Sequence, residues 1–124
     1  MKKSEILRGR NFFKRIAHTG KRLDGHLLRC TYLVYDEGAA SLQVAFKVPS
    51  RNLNAVRRNR LRRLMREAMT KERSLLDTPL AKSSVRVGMM MFYKGAKDVV
   101  VERITLAQIR KDVGMFCRAI ASML

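Results

Sequence analysis

The chain has 124 residues, 47% of them apolar, and sets 27 Lys and Arg against 10 Asp and Glu for a formal charge of +17 and a pI near 11.1. That much apolar side chain excludes a disordered basic tail and predicts one folded domain spanning residues 1–124 around a single core. The excess of cations makes a polyanion the expected partner.

No apolar run approaches the length of a membrane helix. The opening MKKSEILRGRNFF lacks the apolar block and small-residue cleavage site of a secretory signal, so the expected location is the cytoplasm, with no membrane partner. Cys30 and Cys117 stand alone in the sequence, and in a reducing compartment they read as buried thiols rather than a disulfide or metal ligands.

In chain order, Ile6, Leu7, Phe12, Phe13 and Ile16 have near-helical spacing that stops at Gly20, which predicts a short helix from about Asn11 to His18. Leu27 to Tyr35 (LLRCTYLVY) is rich in strand formers, and Asp36-Glu37-Gly38 supplies a turn. Ser41 to Val48 alternates Leu42, Val44, Phe46 and Val48 against Gln43, Ala45 and Lys47, the pattern of a half-buried strand. The two strands are expected to pair as an antiparallel hairpin, stopped by Pro49. A polar loop from Ser50 then reaches Asn54, a good N-cap for a helix expected to run to about Leu76, where Asp77-Thr78-Pro79 ends it. Val85 to Tyr93 (VRVGMMMFY) reads as a buried central strand, with Lys94-Gly95 turning after it. Thr105 can cap a last helix whose Leu106, Ile109, Val113, Phe116, Cys117 and Ile120 keep helical spacing. The order is helix, two or three strands, helix, strand, helix.

The long central helix carries the strongest signal. Six of the ten residues from Arg57 to Arg66 are arginine, yet Leu61, Leu64, Met65, Ala68 and Met69 still form one helical face. Asn59, Arg62, Arg63 and Arg66 cluster on the opposite face, where their guanidinium groups repel one another unless an anion lies across them. Only Glu67 and Glu72 are near enough in sequence to neutralise them. A nucleic-acid backbone is the natural anion.

Signs of protein-borne catalysis are missing from the sequence: no paired carboxylates, no His-Cys cluster and no nucleophile beside a base. His18 and His26 lack partners at metal spacing and read as solvated. Lys94-Gly95-Ala96-Lys97 has neither the glycine spacing nor the Lys-Ser/Thr ending of a phosphate loop.

Asn54-Ala55-Val56, one spacer, Arg58-Asn59-Arg60, Leu61, Arg62-Arg63, two spacers and Arg66-Glu67 strongly resemble the signature of the bacterial ribonuclease P protein component. The surroundings agree, with a first helix carrying Phe13 ahead of Gly20, a hairpin, and an apolar strand before a C-terminal helix. The resemblance implies an α+β fold, a two-layer α/β sandwich of ribosomal-protein type. Its four-stranded, mainly antiparallel sheet would have a left-handed β-α-β crossover containing the arginine helix, although general rules favour the right-handed form.

For function, the resemblance implies the protein subunit of a ribonucleoprotein that removes the 5′ leader of precursor tRNA. The catalytic RNA subunit would do the chemistry with magnesium ions bound to it; the chain itself would supply no catalytic residue, metal ligand or other cofactor site, and no protein oligomer would be required. Arg51, Arg58, Asn59, Arg60, Arg62, Arg63 and Arg66 would meet the RNA subunit, since an arginine fork binds phosphate bidentately and stacks on unpaired bases. A cleft between the first helix and the sheet would take the single-stranded leader, with Phe13 and either Thr31 or Tyr32 lining it. A core role for Phe13 stays open beside this. The chain departs from the family pattern at Ala17, where a second aromatic is common, and at Ser50-Arg51 and Leu53, where paired basic residues and a glycine are common.

Two other classes fit the charge. One is a ribosomal or other structural RNA-binding protein; the Arg-Asn-Arg signature argues against it. The other is a DNA-binding regulator with the arginine helix in a major groove, disfavoured because a whole face of arginine suits phosphates while polar base readers are nearly absent.

Overall fold

The computed structural model describes residues 10–36, 40–50, 53–95 and 99–124, and of residues 10–13 the backbone alone. Its elements are α1 (Arg10–Thr19), β1 (Lys21–Asp24), β2 (Leu28–Tyr35), β3 (Ser41–Lys47), α2 (Ala55–Glu72), α3 (Ser74–Ser83), β4 (Arg86–Tyr93), a 3₁₀ turn (Val101–Arg103) and α4 (Leu106–Ala121).

The sheet has the order β1-β2-β4-β3. β1 and β2 are antiparallel, β2 and β4 are antiparallel, and β3 runs parallel to β4. The expected β2-β3 hairpin is therefore corrected: the two strands run in opposite directions, but β4 lies between them. β4 takes that place because it is apolar on both faces, which only a central, doubly covered strand can bury. A parallel β3-β4 pair needs a long crossover, and α2 with α3 supplies it. β1, missing from the reading of the separate strands, closes the other edge with Lys21, Arg22 and Asp24 exposed; a short charged strand resists pairing with other chains.

One face of the sheet carries the main core. Leu28, Cys30, Val44, Val87, Met89 and Met91 meet the stripe Leu61, Leu64, Met65, Ala68 and Met69 of α2 and Ile109, Val113, Phe116 and Ile120 of α4. The other face is only partly covered, by α1, whose Ile16 packs on Ala45 and Met90 with Leu33 and Phe92 beside them. Gly20 ends α1 tightly, its N–H donating to the Ile16 carbonyl at 2.8 Å, and a Cβ there would come within 2.4 Å of that oxygen. Both cysteines are free and buried; burial pushes both thiols up, Cys117 to about 12.

The caps fall where the sequence places them. The Asn54 side chain accepts from the Arg57 N–H at 2.9 Å, and Thr105 forms a reciprocal capping box with Gln108. The expected helix end at Asp77-Thr78-Pro79 is corrected. α2 stops at Glu72, and one residue, Arg73, joins it to α3, which runs through Pro79 to Ser83. The proline forfeits the bond its N–H would give to the Leu75 carbonyl. Burial of Leu76 and Leu80, with α3 packed on α4, offsets that loss.

Candidate nucleic-acid interface

Because the apolar stripe of α2 is fully committed to the core, the opposite face must look outward. Asn59, Arg63 and Arg66 are exposed, and half-buried Arg62 points a terminal nitrogen at the side-chain Oδ1 of Asn59 at 3.5 Å. The arginines of the first turns behave differently. Arg60 donates to the carbonyl oxygens of Val101 at 3.1 Å and Ile104 at 2.9 Å, and so clamps the 3₁₀ turn to α2. Arg57 is ion-paired with Glu102, whose carboxyl is held below its usual range by its own backbone N–H and then by Arg57. Arg58 has its Nε enclosed without a hydrogen-bond partner among the described residues. Arg60, one of the predicted contacts, thus already has a structural task, while Arg62, Arg63 and Arg66 present the open cationic surface. Arg51 lies outside the described residues.

Beside this helix the uncovered part of the sheet forms an open cleft of about 980 Å³. Its apolar and aromatic lining comes from Ala17, Val48, Pro49, Met90, Phe92 and Tyr93, and its cations are Arg22, Arg29, Lys47, Arg62 and Lys94. Arg62 therefore joins the α2 surface to the cleft. On the β1 side three of the cations share one carboxylate: Asp24 lies 3.0 Å from Arg29, 3.6 Å from Lys94 and 3.7 Å from Arg22. The hydrogen bond from Arg29 is the largest influence on the Asp24 carboxyl and outweighs desolvation, the next largest; with the charges of Lys94, Arg29 and Arg22 it holds the group below its ordinary value. An apolar floor between cations suits a flexible polyanion with flat apolar groups, which is the chemistry of a single-stranded nucleic acid.

Of the two alternatives on β2, Thr31 lines this cleft and Tyr32 faces the core. Successive strand residues face opposite sides, so Tyr32 joins Leu28 and Cys30 on the core face, 3% exposed, with its hydroxyl directed at the Met123 sulfur at 2.6 Å. The alternation Leu28, Cys30, Tyr32 against Arg29, Thr31, Leu33 carried that information. Phe13 falls within α1, but its side chain lies outside the described residues. Phe92 was missed as a cleft aromatic, because a strand apolar throughout hides which residues face which side.

Asp112 was missed as well. It is 4% exposed, and its carboxylate accepts from the backbone N–H groups of His26 at 3.0 Å, Leu27 at 2.7 Å and Leu28 at 3.0 Å. This ties α4 to the β1-β2 turn that carries Asp24, and Gly25 is needed there because a Cβ would sit 2.6 Å from the Asp112 carboxyl carbon. Lys94 donates to the Gly25 carbonyl at 2.6 Å, completing the rim. The position of Asp112 at the edge of the Ile109-Val113-Phe116 stripe was the only sequence signal. Among the described residues no three His, Cys, Asp or Glu side chains are grouped as a metal ion would require.

Fold and surface together define a basic α+β domain with an arginine-lined helix face and an adjoining cleft lined by further cations. The chain belongs to the family of ribonuclease P protein components: the Ribonuclease P family profile matches residues 1–114. It is 40% identical over 83 residues to the ribonuclease P protein component of Chlorobium phaeobacteroides, an alignment covering 63% of this chain and 57% of that one. With its counterpart in Chlorobaculum tepidum it shares 31% identity over 111 residues, covering 79% of this chain and 70% of the other. Among solved structures, the fold matches the RNase P protein of Staphylococcus aureus with a TM-score of 0.70 at 20% identity, over 96% of both chains. The RNase P protein of Thermotoga maritima matches with a TM-score of 0.68 at 19% identity, over 93% of this chain and 96% of the other.

Proposed function

We propose that this chain is the non-catalytic protein subunit of a ribonuclease P ribonucleoprotein and supports endonucleolytic removal of the 5′ leader from precursor tRNA. The observation that carries the reading is the continuity of the two surfaces: Arg62 belongs both to the outward face of α2 and to the lining of the cleft. One RNA held along Arg63 and Arg66 then lies beside a single strand passing through the cleft. Arginine forks take phosphate oxygens on the helix, and the cleft binds the leader by charge and apolar contact without reading its sequence. The catalytic RNA subunit supplies the chemistry, with magnesium held there; the chain's own work is to bind and orient. Among the described residues no helix is long and apolar enough to cross a membrane, and the reading puts the protein in the cytoplasm with its precursor tRNA substrates.

A structural RNA-binding protein would use the helix face but would have no use for a leader cleft beside it. Sequencing the RNA that copurifies with the full-length protein separates the two. One RNA of a few hundred nucleotides, together with precursor tRNA, is the expected result; recovery of ribosomal RNA alone would contradict the proposal.

A further inference from the structure

Three strands set Lys47, Phe92 and Arg29 in one row across the sheet. Lys47 of β3 is the register partner of Phe92 of β4, and Phe92 that of Arg29 of β2; all three side chains line the cleft. We infer that Phe92 is a seat for one unpaired base and that Lys47 and Arg29 take the phosphates on either side of it. The assignment rests on the reading above, in which the cleft holds single-stranded RNA, and names the position inside it where a base stacks.

Register and pleat give the dimensions. With strands about 4.8 Å apart, Lys47 and Arg29 start about 10 Å from each other with the aromatic ring between them. Two long side chains can close that span onto the phosphates flanking a single nucleotide. The next row on the same face, Ala45, Met90 and Thr31, is uncharged, so the paired cations belong to the Phe92 row.

Phe92 packs at the margin of the small core formed by Ile16, Ala45 and Met90 and keeps part of its surface in the cleft, while Met91 and Tyr93 on either side of it are buried in the main core, with Tyr93 reaching only the edge of the cleft lining. A phenylalanine serving only that small core would have no need of a cation on each flank. Ala17 and Gly20, at the end of α1, also line the cavity and leave room above the floor for a base.

Arg29 is held in place from behind. Asp24, its register partner on β1, accepts from its Nε at 3.0 Å, an attachment that leaves the two terminal nitrogens out of the pair. The same carboxylate is shared with Arg22 and Lys94, so three cations face one anion and the rim keeps a positive balance for phosphate. Stacking tolerates any base, and an arginine fork and a lysine tolerate any sequence, which suits a strand of variable composition.

The test uses the full-length protein and a fluorescently labelled single-stranded RNA of about ten nucleotides, prepared intact and as a series with one abasic nucleotide at each position. For wild type, the abasic penalty should concentrate at one position. Phe92→Leu, which keeps apolar packing, should weaken binding of the intact RNA about 5- to 150-fold and flatten the abasic profile, while Phe92→Tyr restores both. Wild-type binding matched by a folded Phe92→Leu variant would overturn the seat and leave the leader cleft standing. If Phe92→Leu does not fold, the wild-type profile with Phe92→Tyr decides, and a flat wild-type profile overturns the seat. Failure of wild type to bind the intact RNA at all would overturn the cleft reading itself, and the seat with it.

Discussion

Replacing Arg62, Arg63 and Arg66 together by alanine removes three cations from the outward face of α2 without touching its buried stripe. Among the described residues none of the three is hydrogen-bonded through its side chain to another element: the contact of Arg62 with Asn59 is at 3.5 Å within the same helix. Alanine is a slightly better helix former than arginine, so unfolding stability should change by less than about 0.5 kcal/mol. RNA binding should respond very differently. If each arginine neutralises one phosphate, the slope of log affinity against log salt becomes shallower by about two to three units, at about 0.7 to 0.9 per phosphate. Across a fourfold change of salt, from about 50 to about 200 mM, the ratio of wild-type to variant affinity should then shrink about 20- to 40-fold. Titrations of the RNA subunit at several salt concentrations read this directly. Equal slopes for the two proteins would refute the assignment of this face as the main phosphate contact.

Arg60→Ala should show the opposite pattern, losing about 1.5 to 3 kcal/mol of folding stability with the charged hydrogen bonds to Val101 and Ile104, while its salt slope stays close to that of wild type. A large change in slope without a loss of stability would show that its contact with the 3₁₀ turn is incidental. Asp112→Ala should cost about 2 to 6 kcal/mol in chemical denaturation, counting about 1 to 3 kcal/mol for each of the buried Leu27 and Leu28 N–H groups left without an acceptor, and Asp112→Asn should fall between the two. Unchanged stability of Asp112→Ala would show that the β1-β2 turn is held by other means.

What could be read from the sequence was local and periodic. The stripe of α2 and the caps Asn54 and Thr105 follow from side-chain spacing and from hydrogen bonds spanning three residues, and each is found where that chemistry puts it. The apolarity of β4 foretold its central position. The neighbours of β2 and β3 could not be read, because their pairing is settled by β4, far along the chain, and the short turn between them looked sufficient for a hairpin. β1 escaped notice because four residues, three of them charged, show no alternation. In the site, the arginine face was legible as a surface, but the division of labour within it was not. Arg60 turns inward because Val101 and Ile104 offer carbonyls that only the folded chain brings near. Thr31 and Tyr32 differ by one step of the pleat, which the alternation of β2 could have resolved, whereas the outward parity of Phe92 depends on the placement of α1.

The proposed division of labour gives the cleavage to an RNA and leaves this protein to assist it. Its most direct test is cleavage of 5′-labelled precursor tRNA by three preparations: rigorously RNA-free protein, the copurifying RNA alone, and the two recombined. The expected result is no cleavage by the protein, some cleavage by the RNA alone at high magnesium, and efficient release of an intact leader by the recombined pair at low magnesium. Release of the leader by the RNA-free protein would contradict it.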